Sequence, residues 1–143
     1  MNSTKYDVVL LTDKRYINPT EITPYIANVL LEDEILKNEL ESNGLKVYRT
    51  NWDNTNFDWT TTKTALFRAT WDYFERINEF LPWLESVKNK TQLLNDYTTI
   101  KWNLDKHYLN DLANKGIETP SSTFVEKGNT KTLASYVKEL CYE

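Results

Sequence analysis

The residue types best suited to ligand binding lie in the segment Arg68-Ala-Thr-Trp-Asp-Tyr73, where an apolar stretch gives way to a predicted helix. An arginine at the end of a strand can bind a carboxylate or a phosphate through two parallel N–H donors. Thr70 or Asp72 can accept hydrogen bonds from the first backbone N–H groups of the helix, an end that also attracts anions. The same residues equally suit a structural role, as an ordinary helix cap beside core aromatic side chains.

A second candidate is Lys106, within the segment Asn95 to Leu109. If Asn103 caps the helix that follows, Lys106 lies in its first turn. A cation is mildly unfavourable beside the positive end of a helix dipole, so this position indicates either a nearby anion or full solvation. The spacing of the residues leaves both interpretations open.

Three further groups of polar residues carry weaker signals. Asp13 to Tyr16 follows the first apolar segment, which places Tyr16 among the ligand candidates, although this composition is also ordinary for a loop. Glu32, Asp33 and Glu34 are consecutive, and successive helical side chains diverge by about 100°, so we predict a solvated face. The lone His107 cannot form a histidine-rich metal site, and we predict a surface or packing role for it.

Composition narrows the function classes. The chain has 143 residues, a net charge of -4 and no basic run, so we expect no nucleic-acid partner. The three glycines form neither a dinucleotide fingerprint nor a phosphate-binding P-loop. The single Cys141 favours a reducing compartment, and no apolar stretch is long enough for a membrane span, so we expect a cytoplasmic protein without membrane contact.

Apolar periodicity indicates alternating strands and helices. Strands are predicted at 6–11, 46–50, 64–69, 91–94 and 122–125. Helices are predicted within 21–43, from Asp72 to about Val87, over 97–115 with a break near Trp102 and Asn103, and over 130–141. This alternation predicts an α/β fold with a parallel sheet covered by helices on both faces. Ligands of such sheets bind at the carboxyl ends of the strands, which directs attention to the candidates above.

Four segments in order resemble the N-terminal part of the ATP-grasp ligases, and of their glutathione-synthetase-like and cycloserine-ligase-like branch in particular. They are Arg68–Phe74, Glu79–Leu84, Trp102–Leu109 and Gly116–Pro120. The resemblance implies a three-layer, Rossmann-like pre-ATP-grasp domain over residues 1–120. It also implies that residues 121–143 begin an ATP-grasp nucleotide-binding domain.

The resemblance implies an ATP-dependent ligase that joins a carboxylate to an amine, or to a thiol or another nucleophile, through an acylphosphate. ATP and magnesium would serve the full-length parent, whose substrates would be a small-molecule carboxylate and an amine-type molecule. Lys106, in Asn103-Leu-Asp-Lys106, matches the family's lysine that reaches the ATP phosphates. Arg68, Thr70, Asp72 and Tyr16 would lie on the substrate side.

The family takes its second nucleotide lysine, its adenine contacts and its magnesium-binding acids from sequence that would follow Glu143. We therefore expect a fragment or truncation that partners the remaining ATP-grasp domain. Alone it would hold no catalytic residue, no metal site and no tightly bound cofactor, and it would be inactive. The alternative is a non-catalytic, flavodoxin-like α/β binding or interaction module. An FMN or receiver protein is disfavoured, because Asp13 lacks a paired acid and no phosphate loop follows it. A homodimer is compatible with the sequence.

Overall fold

The computed structural model describes residues 4–140, which form a four-stranded parallel sheet and five α-helices. The strands are β1 (Tyr6–Thr12), β2 (Val47–Asn51), β3 (Thr62–Phe67) and β4 (Gln92–Leu94). The helices are α1 (Pro24–Ser42), α2 (Ile77–Val87), α3 (Tyr97–Asn103), α4 (Tyr108–Asn114) and α5 (Leu133–Glu139). Single 3-10 turns cover Lys14–Tyr16 and Trp59–Thr61. The predicted α/β class with a parallel sheet is confirmed.

The strand order is β2-β1-β3-β4, which makes β1 a central strand. Val9 pairs with Tyr48 on one side and with Ala65 on the other. Val9, Leu10 and Leu11 are completely buried, as expected for a strand with neighbours on both edges and helices on both faces. The unbroken apolar run in the sequence therefore identified the centre of the sheet.

Helices cover the two faces of this sheet. On one face, Val29 of α1 packs with Tyr16 and Ala69. On the other face, Phe80, Leu84 and Val87 of α2 pack with residues that include Val9, Leu11 and Trp52. The spacing of four and then three residues puts these α2 side chains on one face of the helix, as predicted.

The chain divides into two compact units, one ending at Leu104 and one beginning at Asp105. The first holds the whole sheet with α1, α2 and α3, and the second holds α4 and α5. This division into compact units does not test the domain boundary that the family resemblance implies after residue 120. That boundary stays a prediction. Within residues 4–140, none of the helices has the length and apolar character that crossing a bilayer requires.

Two predicted elements and one predicted helix cap differ in the structure. The helix expected to open at Asp72 begins at Ile77, after turns over residues 71–76. The break expected near Trp102 and Asn103 in the helical region over 97–115 is confirmed, because α3 ends at Asn103. Asn103 does not cap the next helix, since α4 begins only at Tyr108. Residues 122–125 form no strand, because none of the described strands pairs with them. Phe124 instead stacks on His107, and Val125 is 55% exposed.

The final helix is confirmed in shorter form, with Thr132 as its cap. The Thr132 side chain accepts a hydrogen bond from the backbone N–H of Ser135. Cys141, on which the predicted reducing compartment rests, lies outside the described residues.

Candidate functional site

The carboxyl edge of the sheet is the candidate site. The chain passes from β1 through α1 to β2 and then returns to place β3 on the opposite side of β1, so the topology reverses between β1 and β3. Two backbone hydrogen bonds fix the strand ends there: Asp13 N–H donates to the Ala69 carbonyl at 2.8 Å, and Arg68 N–H donates to the Leu11 carbonyl at 3.0 Å. The segments that follow the two strands therefore leave the sheet side by side.

Tyr16 lies at this edge with little exposed surface. Its ring meets the Trp71 ring edge-to-face, with the centroids 5.8 Å apart, and its carbonyl accepts a hydrogen bond from Arg49 Nη1 at 2.7 Å. Burial raises the pKa of the Tyr16 phenol above its ordinary range, so the phenol is protonated at neutral pH. These contacts hold Tyr16 in place and leave the exposed indole of Trp71 as the outer surface.

Arg68 lies beside two acidic side chains of α1. Its Nε is 3.4 Å from Asp33 Oδ1, and its Nη2 is 3.5 Å from Glu32 Oε2. These are long contacts, at the limit of hydrogen-bond geometry. The Arg68 side chain is 33% exposed, so its guanidinium is accessible from solvent at the edge.

Asp33 is the buried member of this cluster, with 2% of its surface exposed. Its Oδ2 accepts a hydrogen bond from Arg49 Nε at 2.7 Å. The predicted solvated face is therefore wrong for Asp33, because α1 turns this residue toward the arginines of β2 and of the segment after β3. The sequence did contain an indication that Asp33 is buried: it lies four residues after the buried Val29, on the same face of the helix.

Asp72 does not cap a helix, because its carboxylate has other partners. Its Oδ1 accepts a hydrogen bond from Trp52 Nε1 at 2.8 Å, and its Oδ2 accepts one from Arg76 Nη1 at 2.9 Å. A buried indole N–H needs such a partner, and it comes from a residue twenty positions away in the sequence. The sequence around Asp72 therefore gives no indication that Asp72 pairs with Trp52.

Arg76 was not singled out in the sequence, yet it joins three carboxylates. Besides Asp72, it contacts Asp53 at 2.8 Å and Glu79 at 2.6 Å, and its guanidinium carbon lies 4.7 Å from the centroid of the Trp52 ring. The hydrogen bond with Glu79 contributes most to raising the pKa of Arg76, and the same bond lowers the pKa of Glu79. This cluster fixes the turn between β3 and α2 to the end of β2.

A cavity of about 350 Å³ opens between the ends of β3 and β4 and helix α3. Thr70 and Tyr73 line it from the segment after β3, and Asn95 and Asn103 line it from the segment after β4 and the end of α3. Thr70 is only 7% exposed. One of the predicted site residues therefore lines a cavity at the strand ends.

A magnesium site needs several oxygen donors around one point. The described residues contain no group of three His, Cys, Asp or Glu side chains arranged to hold a metal ion. The acids at the sheet edge are instead bound by arginines, as Asp72 and Asp53 are by Arg76. The acids at this edge therefore do not fit a magnesium site.

Residues 8–95 match the family described as the D-cycloserine synthetase DcsG, N-terminal domain. That stretch is more than half of the chain and contains the whole sheet apart from the first two residues of β1. The chain belongs to this family.

Two relatives illustrate the family. The cycloserine biosynthesis protein DcsG of Streptomyces lavendulae is 34% identical over 84 residues, which are 59% of this chain and 28% of that protein. The crystal structure of D-cycloserine synthetase DcsG matches with a TM-score of 0.64 and 28% identity, over 76% of this chain and 33% of that one. The chain thus spans about a third of the length of the relatives it matches.

The stretch that matches the DcsG N-terminal domain includes Tyr16, Arg68, Thr70 and Asp72, whereas Lys106 lies beyond it. The second compact unit contains Lys106, which is exposed and precedes α4, with its Nζ 5.4 Å from the centroid of the Tyr108 ring. The expected position in the first turn of a helix is therefore wrong, since α4 begins only at Tyr108. Its contact with ATP stays a prediction.

Proposed function

We propose that this chain is the N-terminal, substrate-side domain of a ligase that joins a small-molecule carboxylate to an amine or a similar nucleophile through an acylphosphate. The observation that supports this function is the match of residues 8–95 to the DcsG N-terminal domain. In this proposal ATP and magnesium serve the complete ligase, and the remaining ATP-grasp domain is the partner of this chain. We place the protein in the cytoplasm, in line with its single cysteine.

Arg68 is the residue we propose for the substrate carboxylate. A guanidinium binds a carboxylate through a pair of parallel N–H donors, and this one lies at the carboxyl edge with a third of its surface exposed. Its present contacts with Glu32 and Asp33 are 3.5 Å and 3.4 Å long, which leaves its N–H donors able to form shorter hydrogen bonds with an incoming carboxylate. Tyr16, Thr70 and Asp72 shape the surface beside it.

Lys106 is the residue we propose for the ATP phosphates. Its ammonium is exposed, which suits contact with a polyanion held mainly by another domain. Magnesium ligands and the other nucleotide contacts are assigned to the remaining part of the ligase.

A chimera tests the ligase proposal directly. This chain replaces the N-terminal domain of the Streptomyces lavendulae relative, and ADP formation is measured with and without candidate carboxylates carrying ¹⁸O. We expect substrate-dependent ADP formation with transfer of one carboxylate oxygen to the released phosphate, because that oxygen bridges carbon and phosphorus in an acylphosphate. A chimera that unfolds cooperatively in urea but forms no substrate-dependent ADP would favour the non-catalytic α/β module.

Two lysine variants of the same chimera separate the role of Lys106 from a general charge effect. Lys106→Met is expected to raise the KM for ATP, because one contact to the phosphates is lost. Lys115→Met removes another exposed lysine of the same unit and is expected to leave the KM for ATP unchanged. Equal KM values in the two variants would contradict the assignment of Lys106.

A further inference from the structure

The cavity between the ends of β3 and β4 has polar side chains in its wall that form no hydrogen bonds with other described residues. The Thr70 and Tyr73 hydroxyls and the Asn95 and Asn103 carboxamides have no hydrogen-bond partner among residues 4–140. Thr99 contrasts with them, because its hydroxyl donates to Asp96 Oδ2 at 2.8 Å. Thr70 is 7% exposed and lines the cavity, so its hydroxyl is held in place and is available to a ligand there.

Among the residues that the structure describes, none of those lining this cavity is acidic or basic. Apart from the polar groups already named, its wall is apolar and includes Leu66, Phe80 and Ile100. A carboxylate or a phosphate that entered would lose its hydration without gaining a counter-charge, which is strongly unfavourable. The chemistry of the wall therefore selects an uncharged ligand and separates this cavity from the arginine proposed for the substrate carboxylate.

We infer that this cavity is a binding site for a small uncharged molecule, or for the uncharged part of a larger one, that presents a carboxamide-like group. A planar group with an N–H donor next to a carbonyl acceptor pairs with the carboxamides of Asn95 and Asn103, each of which offers both functions. The Thr70 hydroxyl supplies a third hydrogen bond, and the apolar wall accepts a short hydrocarbon portion. A volume of about 350 Å³ is at the small end of the range for ligand sites.

This inference does not depend on the proposed ligase function, because it concerns binding by the chain itself. The test is NMR titration of the full ¹⁵N-labelled chain with butyramide and, separately, with butyrate, which has nearly the same shape but a negative charge. Butyramide is expected to shift the amide signals of Thr70, Asn95 and Ile100 in a saturable manner. Butyrate is expected to bind at least about tenfold more weakly, because its charge is not matched.

Two variants of the cavity wall test whether butyramide binds there. Thr70→Val removes the hydroxyl at constant shape, Asn103→Leu removes one carboxamide from the end of α3, and each is expected to weaken butyramide binding by about fivefold. Thr98→Val, an exposed position of α3 that does not line the cavity, is the matched control and is expected to bind as the unaltered chain does.

Three results would overturn the inference: no saturable shift at the cavity, equal affinity for butyramide and butyrate, or unchanged affinity in the Thr70→Val and Asn103→Leu variants. Asn103 is exposed, so Asn103→Leu decides the question even if Thr70→Val perturbs folding. Loss of ligase activity in the chimera with intact butyramide binding would count against the proposed function alone.

Discussion

Asp33 forms the most deeply buried ion pair at the carboxyl edge, with its side chain 3% exposed and that of Arg49 18% exposed. Attraction between such groups offsets the loss of their hydration only while both partners are present. Arg49 also donates to the Tyr16 carbonyl, so one guanidinium connects α1, β2 and the turn after β1. A single side chain in β2 thereby fixes three segments at the candidate site.

Removal of the Asp33 carboxylate tests how much this ion pair stabilises the fold. Asp33→Ala is expected to lower the free energy of unfolding by about 3 kcal/mol, because Arg49 is left partly buried without its carboxylate. Glu32→Gln changes the neighbouring residue of α1, which is 71% exposed and 3.5 Å from Arg68, and is expected to cost less than about 0.5 kcal/mol. Urea unfolding of both variants measures the difference. Similar losses would contradict the assigned importance of the buried pair.

His107 gives a prediction on pH dependence. Its Nδ1 lies 2.6 Å from Asp105 Oδ1 and its Nε2 lies 3.2 Å from Glu126 Oε1, while its ring stacks on Phe124. The hydrogen bond with Asp105 contributes most to raising the pKa of His107, and Glu126 adds to it. The hydrogen bonds from His107 lower the pKa of Asp105.

The raised pKa of His107 sets the sign of the effect. Its stabilising contribution is complete below the ordinary histidine pKa near 6.5 and is lost as the pH rises through the folded-state value. In acid, the contribution of Asp105 is lost as the pH falls through its lowered pKa. The contacts are therefore strongest in mildly acidic solution, between the two titrations.

Because His107 is the only histidine, its ring proton gives one resolved NMR signal for a pH titration. We expect a midpoint above 6.5, a lower midpoint in Asp105→Asn and a smaller decrease in Glu126→Gln. Glu118→Gln, an exposed acid of the same unit, serves as the control and is expected to leave the midpoint unchanged. A midpoint at or below the ordinary value would show that the two carboxylates do not hold the imidazolium.

At the scale of elements, α1 depends on its N-terminal cap. Thr23 Oγ1 accepts a hydrogen bond from Ile26 N–H at 3.3 Å, and Pro24 occupies the first turn, where its missing N–H costs nothing. Only Val29 and Asp33 of this 19-residue helix are buried. Local interactions therefore contribute much of what keeps the helix formed.

Removal of the cap is the corresponding prediction. Thr23→Ala is expected to lower the free energy of unfolding by about 1 kcal/mol in urea titrations, because one helical N–H loses its acceptor. Thr23→Ser keeps an oxygen in the same position and is expected to restore most of that loss. An alanine variant as stable as the unaltered chain would mean that packing alone sets the start of α1.

Elements with a regular apolar pattern were predictable from the sequence. The continuous apolar run of β1 and the spacing of Phe80, Leu84 and Val87 in α2 report burial directly. The start of α2 was not predictable, because Asp72 binds Trp52 and Arg76 through the tertiary structure and not the backbone of a helix. The strand expected at 122–125 was wrong, since β-forming residues need a neighbouring strand and none pairs with them among the described residues.

Only part of the candidate site was predictable from the sequence. The rule that ligands bind at the carboxyl ends of parallel strands directed attention to Thr70, which lines a cavity at the strand ends in the structure; its role in binding stays a prediction. Arg76 and Asp33 were missed, because an arginine that joins three carboxylates and an aspartate among three consecutive acids both look like surface residues in a sequence. Their partners lie in other elements, so only the fold brings them together.

At the scale of the whole molecule, the buried residues among those that the structure describes all lie in the first compact unit. Within residues 4–140, every buried residue lies at or before Leu93. The sheet and both groups of core residues also lie in the unit that ends at Leu104.

This distribution predicts that a chain ending after Leu104 folds alone. We expect it to unfold in one cooperative urea transition and to keep protected amides at Val9, Leu10 and Leu11, because their neighbours are all retained. A chain ending after Lys90 loses β4 and the buried Leu93 and is expected to be unfolded, which makes it the control. Broad, non-cooperative unfolding of the longer chain would contradict the prediction.

A row of aromatic rings runs through the first unit, in which Phe57 contacts Trp59, Trp59 contacts Trp83 and Trp83 contacts Trp52, with centroids 4.8, 5.4 and 5.5 Å apart. Indoles this close transfer excitation energy to one another before they emit, so light absorbed by one of the three tryptophans is emitted by another as well. Light absorbed by any of them loses its polarisation within the group. Fluorescence anisotropy thus becomes a built-in reporter of whether β2, α2 and the loop between β2 and β3 are assembled.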